Sequence, residues 1–398
     1  MKTIPTSKRI EIVDALRGFS LAGIVIVHIV EQYAGSPLPA EALEGARQGT
    51  IDNVVDGFIQ FILRGKFFAL FSLLFGWSFY IQFDNAQKKN VDYRFRYLWR
   101  IFLLFIIGFL HHCLYRGDIL TIYALLAPLL ILFLPLSNKW LWAVVAIIFL
   151  GVPRIALFQV FGESTIFGGP AISPESPEVK DYWQALKYGT FADVIYSNAT
   201  DGFRMKMEYQ LSVFYRFYLT FAFFLLGTWL GRVNYFAQFE KYKQATRWAL
   251  LISIVGFFLF GMFTGLAFNQ MGTDFSLSNP WAVVGLHLLD LVNICLTVII
   301  LVIFVFVYHT KRGQKILNVF KEYGRTALTN YVFQSIIGTA ILFNWGLGQI
   351  GEWRNIHLFA LALTMIIFQI IVSKLWLRKF KYGPLEWLWR SLTYLRSV

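Results

Sequence analysis

The stretch RIEIVDALRGFSLAGIVIVHIVEQY, residues 9–33, contains an apolar run, residues 12–31, that carries four ionisable side chains. They are Asp14, Arg17, His28 and Glu31. Arg17 and His28 are eleven residues apart, which is three turns of an α-helix with almost no angular drift. Asp14 and Glu31 each lie three residues outside that pair, at the spacing of neighbours on one helix face. A charge in hydrocarbon costs roughly 2.5–3.5 kcal/mol or more, so we expect this face to point into a helix bundle.

The composition of the 398-residue chain indicates an integral membrane protein. Hydrophobic residues make up 57% of the chain and charged residues 15%, whereas soluble domains carry about 25% charged residues. The apolar residues form long blocks, which is typical of spanning helices. The net charge of +13 does not favour nucleic-acid binding, because the basic residues stand between apolar blocks. Cys113 and Cys295 lie within apolar runs and form neither a disulfide framework nor a metal-binding pattern.

The apolar blocks predict an all-α bundle of about ten transmembrane helices. The predicted spans are 15–32, 57–83, 97–115, 118–136, 139–160, 210–231, 246–268, 281–307, 326–346 and 357–377. Most of the basic residues lie in alternate connections between these spans. Because short basic connections favour the cytoplasmic side, both termini are predicted to be cytoplasmic.

Two regions outside the spans have their own composition. Residues 1–378 form the predicted transmembrane bundle, and the basic, aromatic tail 379–398 suits a short cytoplasmic amphipathic helix on the inner leaflet. The longest connection, about residues 161–209, is rich in Gly, Pro, Ser and acidic residues and is predicted to be extracytoplasmic. It suits short helices on the membrane surface. A loop of this length acts as a lid or is simply mobile, and both alternatives stay open.

The segment FIQFILRGKFF places Arg64 and Lys66 on either side of Gly65, near the outer end of the second span. One interpretation is a broken or re-entrant helix that turns at Gly65, which protein or a water-filled cavity must then cover. The simpler interpretation is that both long side chains extend to the membrane interface.

More ionisable residues are predicted at the outer boundary. His111 and Asp118 stand where the third span meets the fourth, and His287 lies about two turns inside the eighth. Each of them also suits a purely structural role in helix packing. Because isolated ionisable groups are costly in the membrane, we expect several of them to line one pocket beneath the 161–209 connection. The predicted members of that pocket are His28, Glu31, His111, Asp118 and His287.

Four stretches resemble one family, the YeiB-type bacterial membrane proteins of largely uncharacterised function. They are KFFALFSLLFGWSF (66–79), RIFLLFIIGFLHHCLYRGDILTIYAL (100–125), GRTALTNYVFQS (324–335) and KFKYGPLEWLWRSLTY (379–394). That family is similar to the transmembrane acyltransferase superfamily, which includes heparan-α-glucosaminide N-acetyltransferase and bacterial O-antigen acyltransferases. The link is VDALRGFSLAGIVIVH (13–28), which resembles the first-helix motif of the O-acyltransferases.

The resemblance implies acyl transfer in the bacterial inner membrane, from a cytoplasmic thioester donor to a carbohydrate or lipid acceptor on the outer side. In that interpretation His28 is the general base and Glu31 or Asp118 orients it. Acetyl-CoA or another acyl-CoA is the implied donor, and no metal is expected. The donor's phosphates would be held by Arg17, Arg100 and Arg325, because guanidinium groups pair bidentately with phosphate. The other basic motifs that those enzymes use around the donor have no recognisable counterpart here.

Two other classes remain open from the residues alone. Buried His and Asp residues serve as proton relays in small-solute transporters. A structural membrane protein needs no pocket at all. The residues exclude none of these classes, and they leave an oligomer possible.

The predicted topology has a direct test. Reporter fusions at Lys89 and Ser173 should report the cytoplasmic and the outer side respectively, because Lys89 belongs to a basic connection and Ser173 to the long acidic one. An outside signal at Lys89 would contradict the topology.

Overall fold

The computed structural model describes residues 10–35, 37–39, 41–44, 46–161, 166–168, 172–272, 276 and 278–395. Twenty α-helices and no β-strand occur in these residues. The helices are α1 Glu11–Val30, α2 Glu41–Glu44, α3 Thr50–Phe58, α4 Phe67–Gln87, α5 Arg94–Leu114, α6 Leu120–Leu126, α7 Leu130–Phe133, α8 Asn138–Phe149, α9 Val152–Phe161, α10 Pro177–Tyr188, α11 Phe191–Ser197, α12 Phe203–Leu211, α13 Arg216–Arg232, α14 Phe239–Met271, α15 Pro280–Tyr308, α16 Lys311–Leu317, α17 Lys321–Arg325, α18 Ala327–Leu342, α19 Asn355–Lys379 and α20 Pro384–Tyr394.

The first helix, α1, lies at the centre of the bundle and packs against α4, α15, α17, α18 and α19. Its most apolar stretch is 72% buried, against 11% for the peripheral α14. Small residues allow the close packing of α1 on α17. A Cβ atom on Gly18 would overlap the carbonyl oxygen of Phe320, and one on Gly324 would overlap the carbonyl oxygen of Asp14. Without a hydrophobic driving force between helices in lipid, such close packing supplies much of the association energy.

The predicted all-α membrane bundle is confirmed. Six helical stretches among the described residues are long and apolar enough to cross a membrane, and eight if two bent helix pairs each count as one span. The remaining two predicted spans coincide with shorter apolar stretches, Leu120–Phe133 and Ala327–Leu342. The total of ten therefore stays a prediction.

Two predicted spans are not single straight helices. The segment 139–160 divides into α8 and α9 with a bend of 46°. The bend contains Gly151 at φ +75°, a left-handed conformation that glycine adopts without steric cost. The segment 210–231 begins in the last turn of α12 and continues into α13, and the helices on either side of the break between them bend by 61°.

The chain also breaks before α4, as one of the two interpretations of Gly65 predicted. A π-helix, Ile59–Leu63, leads into a turn in which Gly65 has φ +84°. The expectation that Lys66 extends to the interface is wrong, because this side chain is only 3% exposed and its Nζ donates to the carbonyl of Gln60 at 3.2 Å. Arg64 turns inward and pairs with Glu31 at 2.7 Å.

The described part of the 161–209 connection folds as α10, α11, a π-helical segment Asn198–Gly202 and most of α12. The side chains of Tyr182 and Trp183 on α10 are buried, so this connection packs onto the bundle. At the other end of the chain, the predicted tail helix forms as α20 and packs against α5 and α18. The indole of Trp389 donates to the carbonyl of Arg100 at 2.8 Å.

The contact of α1 with α17 predicts opposite effects for two glycine substitutions. Gly18→Ala should lower the melting temperature in detergent, because its Cβ would collide with the α17 side of the contact. Gly261→Ala on α14 is the matched control, because a Cβ there meets no described atom within 4 Å. The control should be neutral or stabilising by about 0.5–1 kcal/mol, since alanine is the better helix former. Equal melting temperatures for the two variants would contradict the packing.

Candidate functional site

A cavity of about 190 Å³ lies at the carboxyl end of α1, and we call it the His28 cavity. Its wall combines α1, the turn at Gly65, the turn between α5 and α6, and the start of α13. The long connection contributes α12, in agreement with a pocket beneath that connection. Three of the predicted site residues line this cavity: His28, Glu31 and Asp118.

The ring of His28 stands among three tyrosines. Its ring centroid lies 4.9 Å from that of Tyr115, 5.7 Å from Tyr33 and 6.0 Å from Tyr331. Its Nδ1 atom is buried and has no hydrogen-bond partner among the described residues. The ring as a whole is half-buried and lines the cavity, although Nδ1 itself has no open surface.

The predicted orientation of His28 by a carboxylate is wrong. Glu31 forms its ion pair with Arg64. Asp118 binds the other histidine, His111, with 2.7 Å between Oδ1 and Nδ1. Helical spacing places these groups at the same end of the bundle, but the rotation of each helix decides which of them touch.

Asp118 is the most heavily hydrogen-bonded carboxylate of the site. Besides His111, it accepts from the backbone amides of Leu120 at 3.1 Å and Thr121 at 2.9 Å, and from the Thr121 hydroxyl at 2.6 Å. The two amides belong to the first turn of α6, so Asp118 also satisfies donors at that helix start. The side chain is 1% exposed.

The cation that faces Asp118 belongs to the 161–209 connection. Lys206 on α12 places Nζ 3.5 Å from Asp118 Oδ2 and 3.3 Å from His112 Nδ1, and it also contacts the Thr121 hydroxyl. The other ring nitrogen of His112, Nε2, donates a hydrogen bond to the carbonyl of Asn198 at 2.8 Å. The spacing of residues in the sequence did not predict that Lys206 belongs to this site.

These contacts define the tautomer of His111. Since Nδ1 carries the proton that is donated to Asp118, a neutral ring has its lone pair on Nε2. That Nε2 atom is buried and has no hydrogen-bond partner in the described part of the chain. The His111 ring centroid lies 4.9 Å from that of Tyr331. His111, rather than His28, is thus the imidazole that a carboxylate orients.

His287 does not line the His28 cavity, which corrects the prediction of one shared pocket. Its ring packs against the bend at Gly151, between α8 and α9. The neighbouring Asp290 pairs with Arg154 and lies 3.7 Å from Arg216. Asp290 is therefore engaged by arginines of two other helices and does not orient His287. Among the described residues, no group of three His, Cys, Asp or Glu side chains is placed to hold a metal ion.

A second cavity of about 260 Å³ lies near the amino end of α1, and we call it the Arg17 cavity. All three arginines predicted to bind the donor line it: Arg17, Arg100 and Arg325. Arg17 pairs with Asp14 at 3.0 Å and donates to Ser78 at 3.2 Å. The Arg100 guanidinium lies 3.6 Å from the centroid of the Trp389 ring, in a cation–π contact.

The tail helix α20 closes one side of the Arg17 cavity with Glu386 and Trp389. The Glu386 carboxylate accepts from the backbone amides of Leu328 at 2.7 Å and Thr329 at 3.1 Å, at the first turn of α18. Burial raises the pKa of the Glu386 carboxyl, although these hydrogen bonds act in the opposite direction. The sequence offered one signal for this residue, an acid in a basic tail directly after Gly383 and Pro384.

Tyr331 on α18 lines both cavities. Its hydroxyl accepts the backbone amide of Ile119 at 3.1 Å, and the side chain is 2% exposed. Arg17 and His28 are separated by roughly 16 Å along α1 at the standard helical rise. The two cavities thus occupy opposite ends of one helix and adjoin at one buried tyrosine.

This architecture defines a multi-pass α-helical membrane protein with a polar cavity at each end of its central helix. Residues 230–396 match the family described as "Protein of unknown function (DUF418)".

Similar proteins extend the match over nearly the whole chain. "Uncharacterized protein YxaH" of Bacillus subtilis (strain 168) is 28% identical over 404 residues, covering 98% of this chain and 95% of its own. "Uncharacterized protein YeiB" of Escherichia coli (strain K12) is 26% identical over 392 residues, covering 96% and 95%. "Uncharacterized 39.9 kDa protein in amylase 3'region" of Bacillus acidopullulyticus is 25% identical over 419 residues. The predicted resemblance to YeiB-type membrane proteins is confirmed.

The Asp118 network predicts a large effect on stability. Asp118→Ala should lower the free energy of unfolding by roughly 3–5 kcal/mol, because it leaves Lys206 and His111 buried without their carboxylate. Asp201→Ala is the control, since Asp201 is exposed and should change stability by no more than about 0.5 kcal/mol. Denaturant titration of both purified variants measures the difference. An unfolding midpoint for Asp118→Ala equal to that of the control would contradict this role.

Proposed function

We propose that the protein is a membrane-embedded acyltransferase that moves an acyl group from a cytoplasmic acyl-CoA-like donor to an acceptor on the outer side. One observation carries the proposal: an arginine-lined cavity and a histidine-lined cavity occupy opposite ends of α1 and adjoin at Tyr331. An enzyme that joins substrates from the two sides of a membrane needs two openings and a short separation between them.

The Arg17 cavity suits the donor. Three guanidinium groups are favourable partners for the phosphates of acetyl-CoA or another acyl-CoA. Trp389 fixes Arg100 by stacking, and Ser78 fixes Arg17 by a hydrogen bond, so the side chains are ordered before a ligand arrives. Such preorganisation lowers the entropic cost of binding. The thioester end of the donor would point along α1 toward Tyr331.

The His28 cavity suits the acceptor, a carbohydrate or lipid hydroxyl or amine. In the proposed reaction His28 accepts a proton from the hydroxyl or amine of the acceptor. The oxygen or nitrogen of that group attacks the thioester carbonyl carbon. The carbon–sulfur bond breaks, and the thiol of the donor leaves with the proton that His28 has taken up. A neutral imidazole suits this task because its unprotonated nitrogen carries a lone pair that accepts a proton.

His111 and Asp118 support this site rather than replace His28 in it. His28 lines the cavity, whereas His111 does not, and the His111 ring centroid lies 4.9 Å from that of Tyr331. Asp118 holds the His111 tautomer that leaves Nε2 free of a proton. We therefore assign proton transfer to His28. We assign to His111 the positioning of the tyrosines that surround the His28 ring.

One feature favours a second candidate, a small-solute transporter. Two cavities that adjoin at one residue also describe a path with a gate, and buried ionisable groups serve as proton relays in transporters. A transporter would move a solute in response to the proton gradient and would form no covalent product. In either case the proposed location is a bacterial inner membrane.

The enzyme proposal predicts that donor binding and transfer are separable. The purified full-length protein should bind acetyl-CoA, and Arg100→Gln should weaken binding by roughly tenfold or more, because a charge-assisted hydrogen bond is lost. Arg378→Gln, an exposed residue at the end of α19, should leave the affinity unchanged. His28→Ala should retain binding and lose about 10²–10⁴-fold in transfer rate.

Isothermal titration measures the binding, and radiolabelled acetyl-CoA with membranes of the host measures the transfer. Absence of acetyl-CoA binding, together with unchanged acylation of the cell surface in a deletion strain, would contradict the proposal. Proton-coupled uptake into vesicles without any acylated product would favour the transporter.

A further inference from the structure

We infer that the acceptor bound in the His28 cavity carries a phosphate group beside the group that is acylated. That the bound molecule is an acceptor rests on the proposed function. That it carries a phosphate rests on the charges of the cavity. Among the residues that the structure describes, four basic side chains and two acidic ones line the cavity. The basic ones are Arg64, Arg116, Lys206 and Arg216.

Both carboxylates of the lining already have cationic partners. Glu31 pairs with Arg64, and Asp118 pairs with His111 and Lys206. Neither is available to neutralise a further cation without giving up a contact. The positive charge of the cavity therefore exceeds what its own acidic residues balance.

Arg216 shares its carboxylate partner with another arginine. Its Nε donates to the Tyr209 hydroxyl at 3.2 Å, and its carboxylate neighbour, Asp290, is 3.7 Å away and shared with Arg154. The guanidinium of Arg64 lines the same cavity. Burying cations together is costly, so an anion between them is stabilised.

Arg116 adds a cation that is held by neutral groups. Its guanidinium donates to the carbonyls of Gly35 at 3.1 Å and Pro37 at 3.2 Å, and it lies 4.1 Å from the centroid of the Tyr182 ring. The side chain is 3% exposed. A guanidinium fixed in this way serves as a preorganised anion partner at the cavity wall.

The number of cations favours phosphate over a neutral sugar or a carboxylate. A neutral hydroxyl acceptor leaves the excess charge unpaired. A carboxylate offers two oxygens, whereas a phosphate ester offers more acceptor oxygens and up to two charges to Arg64 and Arg216 together. The same chemistry is present in a phospholipid headgroup and in a soluble phosphorylated polyol.

Glycerol phosphate is the probe that tests this inference, with glycerol as its neutral counterpart. The full-length protein in nanodiscs of phosphatidylcholine should bind glycerol phosphate at least about tenfold more tightly than glycerol, with an affinity that falls as salt rises. Arg216→Gln should weaken binding of glycerol phosphate by roughly tenfold, and Arg64→Gln is the second variant. Arg204→Gln is the matched control, because Arg204 lies on neighbouring α12, pairs with Glu178 and does not line the cavity.

Nanodiscs that contain phosphatidylglycerol identify the source of the phosphate. Loss of glycerol phosphate binding in these discs supports a lipid headgroup, and retained binding supports a soluble acceptor. Equal affinity for glycerol and glycerol phosphate overturns the inference, as does unchanged phosphate binding in Arg216→Gln and Arg64→Gln proteins that melt like the wild type. The measurement requires no catalysis, so a failure of acetyl-CoA binding would contradict the proposed function and leave this inference standing.

Discussion

The carboxylate of Asp118 connects the turn between α5 and α6 with Lys206 on α12, which lies 88 residues further along the chain. It binds His111 at the end of α5, caps the start of α6 and faces Lys206 from α12. Away from water, a charge of this kind is tolerated only with several partners. The wall of the His28 cavity depends on this contact, because it fixes α12 against the α5–α6 turn.

The central helix gives the molecule its arrangement of two sites. Because α1 carries Arg17 and His28 on one face, the groups around those residues converge on opposite ends of the same cylinder. Close packing at Gly18 fixes α1 against α17 without room for adjustment. The spacing between the cavities is thus set by a rigid helix and not by a loop, which favours a defined distance between two bound substrates.

Periodicity and charge were sufficient to predict the helical bundle and the inward face of α1. The grouping of Arg17, Arg100 and Arg325 was instead an implication of the family resemblance. Periodicity and charge were insufficient for pairings between helices. The period of 3.6 residues tells which residues share a face, but it does not give the rotation of one helix relative to another. The sequence therefore did not reveal that Asp118 binds His111 rather than His28. It also did not reveal that His287 lies against a bend outside the cavity. The burial of Lys66 and Lys206 was not predicted, because burial of a lysine depends on its surroundings in the fold.

The tail helix has a consequence for biosynthesis. Arg17 belongs to α1, whereas Glu386 and Trp389 belong to α20, and all three line one cavity. Since the chain is made from its amino end, this cavity remains incomplete until α20 has been synthesised. A ribosome that stops before α20 therefore leaves a bundle whose central helix has been inserted but whose Arg17 cavity lacks one wall.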